Sequence, residues 1–413
     1  MYNIKEMIYV SNQRKIFMKF SVYGALLFLA VTIALTPHFF YKKHPLSPSL
    51  VKFPTDLKYI LFWKGKEKTG FPNKEWDTLF ATGQTLFIKQ KCQNINCYIT
   101  YNRTLLQYDW YFDAIVFDIR AIRHNKVSDF NLTRADYQKY IFRALESTQG
   151  RPVCNNFYDD FFNLTWTYKL NSDIPHPFLD IYDLNNTFVG PAMNVTWLEY
   201  FKHTDRFAKK VKHKTKAIAW VVESCKLKLT HQDFYESLVK ELKGYNYSID
   251  LYGSCGENKC PNGALYKCYK MIEKNYFFQL VFEDSIAEDF VTEKLVKVMQ
   301  LSLVPIVLGG ADYNRFLPPG TYINSQGFNM KKLGAIIDYL IRNPETYSFF
   351  LDWKNHYVYS LRPKNYVCDL CAKLNDPDQN TDGIKRFRKW WNPDYKEICM
   401  REHLYKKFAK ESF

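Results

Sequence analysis

The sequence predicts an α/β protein with two Rossmann-like domains facing a cleft, and three observations carry that prediction. Between Lys274 and Asn324 an apolar run, Tyr276–Phe282, precedes a run of acidic and hydroxyl residues, Glu283–Thr292. A helical segment follows, then a second apolar run, Val304–Leu308, closed by Gly309-Gly310. Buried strand, polar loop, helix and buried strand in that order read as a βαβ unit. A separate series of strand-like runs begins at Lys58, and Pro175, Pro177 and Pro191 mark a loop-rich crossing between the two series. In open α/β sheets, ligands sit beyond the carboxyl ends of the strands, and a helix N-terminus placed there receives phosphate.

Taken in order, Lys58–Trp63 reads as a first strand, followed by strand candidates at Cys97–Tyr101, Ala114–Ile119 and Tyr140–Leu145. Ala217–Val222 opens the second series. Asp233–Lys243 follows as a helix with Phe234, Leu238 and Leu242 on one stripe and Gly244 as its stop. Ser248–Tyr252 is the next strand. Leu333, Ile336, Ile337, Leu340 and Ile341 recur at helical spacing up to Asn343-Pro344, where an amphipathic helix must end.

The chain has 413 residues, of which 47% are hydrophobic and 18% aromatic, so it is long enough for two domains with sizeable cores and is not a disordered protein. Its formal net charge of +15 suits nucleic acid, anionic lipid or an anionic small molecule. Zinc-finger spacing and an aromatic-basic RNA-binding motif are both lacking, which removes the support for nucleic acid. Phe20–Phe40 is the one long uncharged apolar run. At about 1.5 Å per residue its uninterrupted part, Phe20–Thr36, nearly spans a ~30 Å hydrocarbon layer. Arg14, Lys15 and Lys19 precede it, and Lys42 and Lys43 follow. Six N-x-Ser/Thr sequons, at Asn102, Asn131, Asn163, Asn185, Asn194 and Asn246, lie after the run, as do all ten cysteines. Glycans and disulfides belong to the secretory lumen, so a single-pass anchor with a lumenal globular part fits. The competing reading is a cleaved signal peptide, although no A-x-A-like site follows the run.

For chemistry, Glu146 stands at the end of the strand-like run YIFRAL, where a carboxylate facing a cleft can act as a base. The plainer reading is a solvated loop residue. Glu293 and Lys294 fall where the helix after Tyr276–Phe282 begins, a place from which Glu can bind sugar hydroxyls and Lys can meet phosphate. The plainer reading there is a Glu favourable to the helix dipole. Asp376-Pro377-Asp378 is the sole D-x-D and sits in a polar segment, which argues against a metal–nucleotide site. Cys368-x-x-Cys371 is compatible with zinc or redox work, but lumenal context favours disulfides. Cys255, Cys260 and Cys268 read as staples of a loop.

The block FFQLVFEDSIAEDFVTEKL resembles the signature of the α1,3-fucosyltransferases, and VPIVLGGADYNRFLPPGTYIN continues the match. Further blocks agree in order: DAIVFDIR, YIFRALES, FFNLTWTYKLNSDI, KAIAWVVESC, IDLYGSCG and the late Cys368-Asp369-Leu370-Cys371. The resemblance runs from about Lys58 to Cys399, and the block CGENKCPNGALYKC with the tail to Cys399 looks most like invertebrate members. It implies a GT-B glycosyltransferase fold, GDP-fucose as donor, an N-acetylglucosamine-containing glycan as acceptor, and no required metal or other cofactor. It also implies a Golgi type II membrane protein with its catalytic part in the lumen. The domain reading becomes a cytoplasmic tail over 1–19, a transmembrane signal-anchor over 20–40 and a stem over 41–57. An acceptor-side domain over 58–205, a GDP-fucose-binding domain over 206–360 and a disulfide-containing extension over 361–413 complete it. Disulfide candidates are Cys255, Cys260, Cys268, Cys368, Cys371 and Cys399.

Residue by residue, the family's general base falls on Glu146 of Leu145-Glu146-Ser147-Thr148, where Thr148 replaces the usual proline. The donor-site helix start falls on Thr292-Glu293-Lys294-Leu295. Three donor-site positions depart from the family. Asp284 stands for an asparagine, Phe290 for a tyrosine and His231 for a diphosphate-binding arginine. Each lost contact costs about 1–3 kcal/mol where its partner stays unpaired. Lys226, Lys228 or a protonated His231 are the residues available to compensate. Two rival functions follow: a weak or inactive membrane-tethered relative that binds glycan or nucleotide sugar, and a basic module that binds anionic polysaccharide.

Overall fold

The computed structural model describes residues 57–63, 80–124, 130, 132–204, 206–222, 229–254, 256, 258–377, 382–392 and 397–399. The expected tail, anchor and nearly all of the stem lie outside these residues. Among the described residues no helix is long and apolar enough to cross a membrane.

The first series builds a six-stranded parallel sheet: β1 (Lys58–Phe62), β2 (Cys97–Thr100), β3 (Ala114–Asp118), β4 (Lys139–Ala144), β5 (Leu164–Thr167) and β6 (Ile174–Pro175). The strand order is β2-β1-β3-β4-β5-β6. Helices α1 (Thr85–Lys89) and α2 (Ile119–His124) accompany it. β3 and β4 are buried from end to end, as near-continuous apolar runs in a doubly covered parallel sheet must be. The four anticipated strands are present. β5 was not anticipated, because LTWT is short and set among loop residues.

The proline-marked crossing is more ordered than expected. It holds a hairpin, β7 (Leu179–Asp183) with β8 (Phe188–Gly190), to which a late strand returns from far along the chain. The prolines at 175 and 177 hid β7, whose LDIYD run buries Leu179, Asp180 and Ile181 in succession and so lacks a clean alternation.

The second series gives α3 (Ala208–Val211), β9 (Lys216–Val222), α4 (Leu229–Lys243), β10 (Ile249–Gly253), α5 (Leu265–Asn275) and β11 (Tyr276–Phe282). Then come α6 (Glu293–Met299), β12 (Val304–Leu308), β13 (Ile323–Asn324), α7 (Met330–Arg342) and α8 (Pro344–Phe349). Its sheet is parallel, in the order β10-β9-β11-β12-β13. The order reverses at β9, so the crevice beyond β9 and β11 is the switch point at which such sheets take ligands. Gly253 closes β10 at φ +97, where a Cβ would lie 2.2 Å from the Val222 carbonyl oxygen. Thr292 caps α6, and Asn329 caps α7 by accepting from the Lys332 amide at 2.9 Å. The stretch around Cys260 and Cys268, expected as a stapled loop, runs into α5, and its bridge joins the loop to the first turn of that helix.

The last part of the chain returns to the first sheet. β14 (Tyr357–Leu361) pairs antiparallel with β7. α9 (Cys368–Asn375) buries Leu370, Cys371 and Leu374 against Ile60, Ile99 and Val116, and α10 (Phe387–Trp391) buries Phe387 and Trp391 beside Phe142 and Phe162. Cys368 and Cys371 do not pair with each other. They hold α9 to the β2 region through Cys92–Cys368 and Cys97–Cys371, and Cys154–Cys399 fastens the tail further. The candidate set therefore lacked Cys92, Cys97 and Cys154, and Cys255 lies outside the described residues.

Both α9 bridges close loops of nearly equal size, 276 and 274 residues. Either one alone restrains the unfolded chain almost as tightly as both. Removing one pair as Cys92→Ser/Cys368→Ser should therefore cost well under the usual value for a native bridge. Removing both pairs should cost about 2–5 kcal/mol. Thermal unfolding of the lumenal part checks this, and equal losses on the first and second removal would refute it.

Candidate active site

Four strand ends and the loops beyond them converge. β3 ends in Asp118, whose carboxylate is buried and accepts from Arg143 Nη1 of β4 at 2.6 Å. Arg120, two residues on, donates from Nε to Asp118 Oδ1 at 3.0 Å and stands 3.5 Å from Glu146 Oε1. Glu146, just past β4, thus hangs on a chain of alternating charges, Arg143–Asp118–Arg120–Glu146. Its side chain remains 34% exposed, enough for a substrate to reach. Burial raises its carboxyl above the ordinary glutamate value, and the Asp118 charge adds to the rise. The Arg120 guanidinium works against both.

The next residue ties the two sheets together. Ser147 Oγ lies 2.5 Å from Ser285 Oγ in the loop after β11, and the Ile286 amide donates to Gln149 Oε1 at 3.2 Å. Thr148 uses what a proline lacks: its N–H donates to the buried Tyr168 hydroxyl at 3.1 Å. Farther along the same loop Asp289, at φ +56, accepts from the Leu170 amide and from Arg315, each at 3.0 Å. Lys169 meets Glu288 at 3.1 Å.

On the second sheet, Glu283 closes β11 fully buried. It accepts from the Thr292 amide at 2.9 Å and the Thr292 hydroxyl at 2.7 Å, which fixes the start of α6. Burial pushes its carboxyl up to about 7, against the pull of those two donors and of Lys294. Lys294 donates to the Phe282 carbonyl at 3.1 Å and to Asp284 Oδ1 at 2.6 Å. Glu293 is half-buried at the first position of α6. His231, buried in the first turn of α4, sets its ring 5.5 Å from that of Phe282.

The structure thus gathers Glu146, Asp284, Glu293, Lys294 and His231 around the ends of β4 and β11. Phe290 does not join them. Its ring packs on Tyr168 at 5.1 Å and Phe178 at 5.7 Å, inside the first sheet's core. With no hydroxyl to satisfy, the ring is most stable there. Sequence reasoning did not single out Asp118, Arg120, Arg143, Glu283, Ser285 or Asp289 as site residues. The one available signal was charge placed at the end of an apolar strand, in FDIR and VFED.

Among the sequons, Asn102, Asn185, Asn194 and Asn246 are exposed, while Asn131 lies outside the described residues. Asn163 departs from expectation. It is 6% exposed, and its carboxamide oxygen accepts from the Tyr140 amide at 2.8 Å and from Arg134, so the folded chain leaves no room for a sugar. Among the described residues no group of three or more His, Cys, Asp or Glu is placed to hold a metal ion. Asp376 pairs with Lys373 at 3.0 Å, and Asp378 lies outside the described residues.

Residues 211–390 match the model of the glycosyltransferase family 10 (fucosyltransferase) C-terminal domain, and residues 55–179 match that of the fucosyltransferase N-terminal domain. Alpha-(1,3)-fucosyltransferase C of Drosophila melanogaster is 30% identical over 76% of this chain and 73% of its own length. Glycoprotein 3-alpha-L-fucosyltransferase A of the same fly is 26% identical over 80% of this chain and 59% of its own length. Alpha-(1,3)-fucosyltransferase fut-1 of Caenorhabditis elegans is 37% identical over 36% of this chain and 33% of its own length. A solved alpha1,3-fucosyltransferase with GDP-fucose aligns with a TM-score of 0.44 and 13% identity, over 77% of this chain and 89% of that one. On the sequence matches, the chain belongs to glycosyltransferase family 10, the fucosyltransferases.

Proposed function

We propose that the chain is a GT-B α1,3-fucosyltransferase that moves fucose from GDP-fucose, with inversion, to a hydroxyl of N-acetylglucosamine on an N-glycan or related glycoconjugate. We place it in the Golgi membrane, held by the anchor over 20–40, with residues 58–205 on the acceptor side and 206–360 on the donor side. The observation that carries the reading is the Ser147–Ser285 contact. It sets a partly exposed carboxylate with a raised pKa beside the loop that leads into α6, from which Lys294 would meet a departing diphosphate.

In the reaction Glu146 takes the proton of the acceptor hydroxyl as its oxygen attacks the anomeric carbon, and the bond to GDP breaks on the opposite face. A raised pKa suits a base that must hold that proton, and base assistance is worth about 10²–10⁴-fold. GDP departs with growing negative charge, which Lys294 meets as a point charge. That ammonium is paired with Asp284, which is 77% exposed. A donor diphosphate must compete for it. This pairing is also the observation that favours the second reading, a weak or inactive relative.

Glu146→Gln should lower kcat by about 10²–10⁴-fold and leave GDP binding intact. An unimpaired mutant would remove Glu146 from the role. Because Glu146 works as the anion, activity should fall as pH drops through its raised pKa. Asp118→Asn removes a charge that raises that pKa, so the acid limb of kcat/KM should move to lower pH. Arg120→Gln removes a charge that lowers it, and the limb should move up. Limbs that fail to move in opposite directions would reject the charge chain.

Asp284→Asn should free Lys294 and lower the KM for GDP-fucose by up to about fivefold, since an exposed ion pair is worth about 1 kcal/mol or less. Wild-type chain that forms no fucosylated product on any N-acetylglucosamine-containing glycan would instead favour the inactive relative. Product formation is expected to survive EDTA, and its loss there would overturn the metal-free scheme.

A further inference from the structure

The three-stranded sheet β14-β7-β8 has two unlike faces. On the inner face Leu179, Ile181, Tyr357 and Tyr359 are buried in the core beneath α6. The outer face carries a row of apolar side chains in register, Val358 opposite Tyr182 and Tyr182 opposite Phe188. Phe188 is 50% exposed and Val358 49%. The Tyr182 and Phe188 rings meet edge to face, 5.9 Å apart. Isolated exposed hydrophobics need no explanation, but a cross-strand row of them on one open sheet face does.

The same hairpin supplies an anchor point. Its turn, Asp183–Thr187, holds the sequon Asn185-Asn186-Thr187. Asp183 Oδ1 accepts from the Asn185 and Thr187 amides, each at 2.8 Å, and Asn186 takes the left-handed conformation at φ 62. The turn is thus fixed, and Asn185 is displayed at its tip. Asn185 stands three residues from Tyr182 on one strand and three from Phe188 on the other, about 10 Å of extended chain either way. Sugar rings carry an apolar C–H face and a rim of hydroxyls, a surface suited to aromatic rings with polar groups beside them. Asp180 and Arg362, paired at 2.9 Å, lie along the same sheet.

We propose that Asn185 carries an N-linked oligosaccharide whose first sugars fold back onto Tyr182, Phe188 and Val358 and cover this face of the sheet. The Asn185 amide nitrogen forms the N-glycosidic bond and loses a proton, and the diphosphate of a lipid-linked oligosaccharide leaves. The inference rests on the lumenal placement proposed above.

The test expresses the full chain in secretory animal cells. Mass spectrometry of glycopeptides reads occupancy at Asn185, Asn194 and Asn246. Peptide N-glycosidase treatment of the native protein then reads how well each glycan is shielded. Asn185 is expected to be occupied. Its release should be roughly fivefold faster in Tyr182→Thr/Phe188→Thr, with release at Asn246 unchanged. Asn185→Gln should lower the melting temperature of the wild type and leave that of the threonine variant unchanged. An unmodified Asn185 beside glycosylated Asn194 and Asn246 overturns the inference while sparing the lumenal reading. Equal release rates, or melting shifts that simply add, overturn it as well. Bare asparagine at every sequon overturns both.

Discussion

The loop from Glu283 to Thr292 has to satisfy two sheets at once, and most of the site depends on how it does so. At its ends Glu283 and Thr292 bond to each other, which closes the loop at the mouth of the second sheet. In its middle it leaves that sheet altogether. Ser285 meets Ser147, Asp289 holds the Leu170 amide, and Ala287 and Phe290 enter the first sheet's core. A polar loop would ordinarily stay in water. This one is ordered because its buried carboxylates are paired, Asp289 with Arg315 and Glu283 with Thr292, so that desolvation is offset by charge-assisted hydrogen bonds.

That constraint sets the geometry in which chemistry can occur. Glu146 immediately precedes the serine that touches the loop, and Asp284 immediately precedes the serine on the other side. Glu146 and Lys294 are therefore placed by residues that the proposed reaction does not use. Each also has a charged neighbour. Asp118 pushes the Glu146 carboxyl up while Arg120 restrains it, and Asp284 occupies Lys294 until something more strongly anionic arrives.

Legibility in the sequence followed the periodicity of burial. β1, β3, β4, β9, β11 and β12 are mostly apolar runs, and α7 shows its stripe and its stop, so they could be read directly. β7 and β8 could not, since prolines precede the hairpin and its partner β14 lies more than 170 residues away. Long-range pairing leaves no local trace. The disulfides show the same limit: Cys368 and Cys371 sit one helical turn apart, yet their partners lie at Cys92 and Cys97. Glu146, Glu293 and Lys294 were singled out by their places at a strand end and a helix start, and again by resemblance to a family. Arg120 and Glu283 were not, because their significance is spatial: one bridges two carboxylates, and the other is buried under the loop it holds.

The departures from the family look different once their surroundings are known. Read along the chain, Asp284, Phe290 and His231 are three departures at the donor site, and Thr148 for proline is a fourth beside Glu146. In the fold, Thr148 gains a donor that proline lacks and spends it on Tyr168, and Tyr168 is the ring on which Phe290 packs. Thr148 and Phe290 thus meet at one ring, between the loop after β4 and the first sheet's core. Asp284 and His231 remain beside the end of β11, one paired with Lys294 and the other against the Phe282 ring. On the proposed mechanism these two departures are the ones left to act on the donor, and the Asp284 pair, being exposed, does so by about 1 kcal/mol at most.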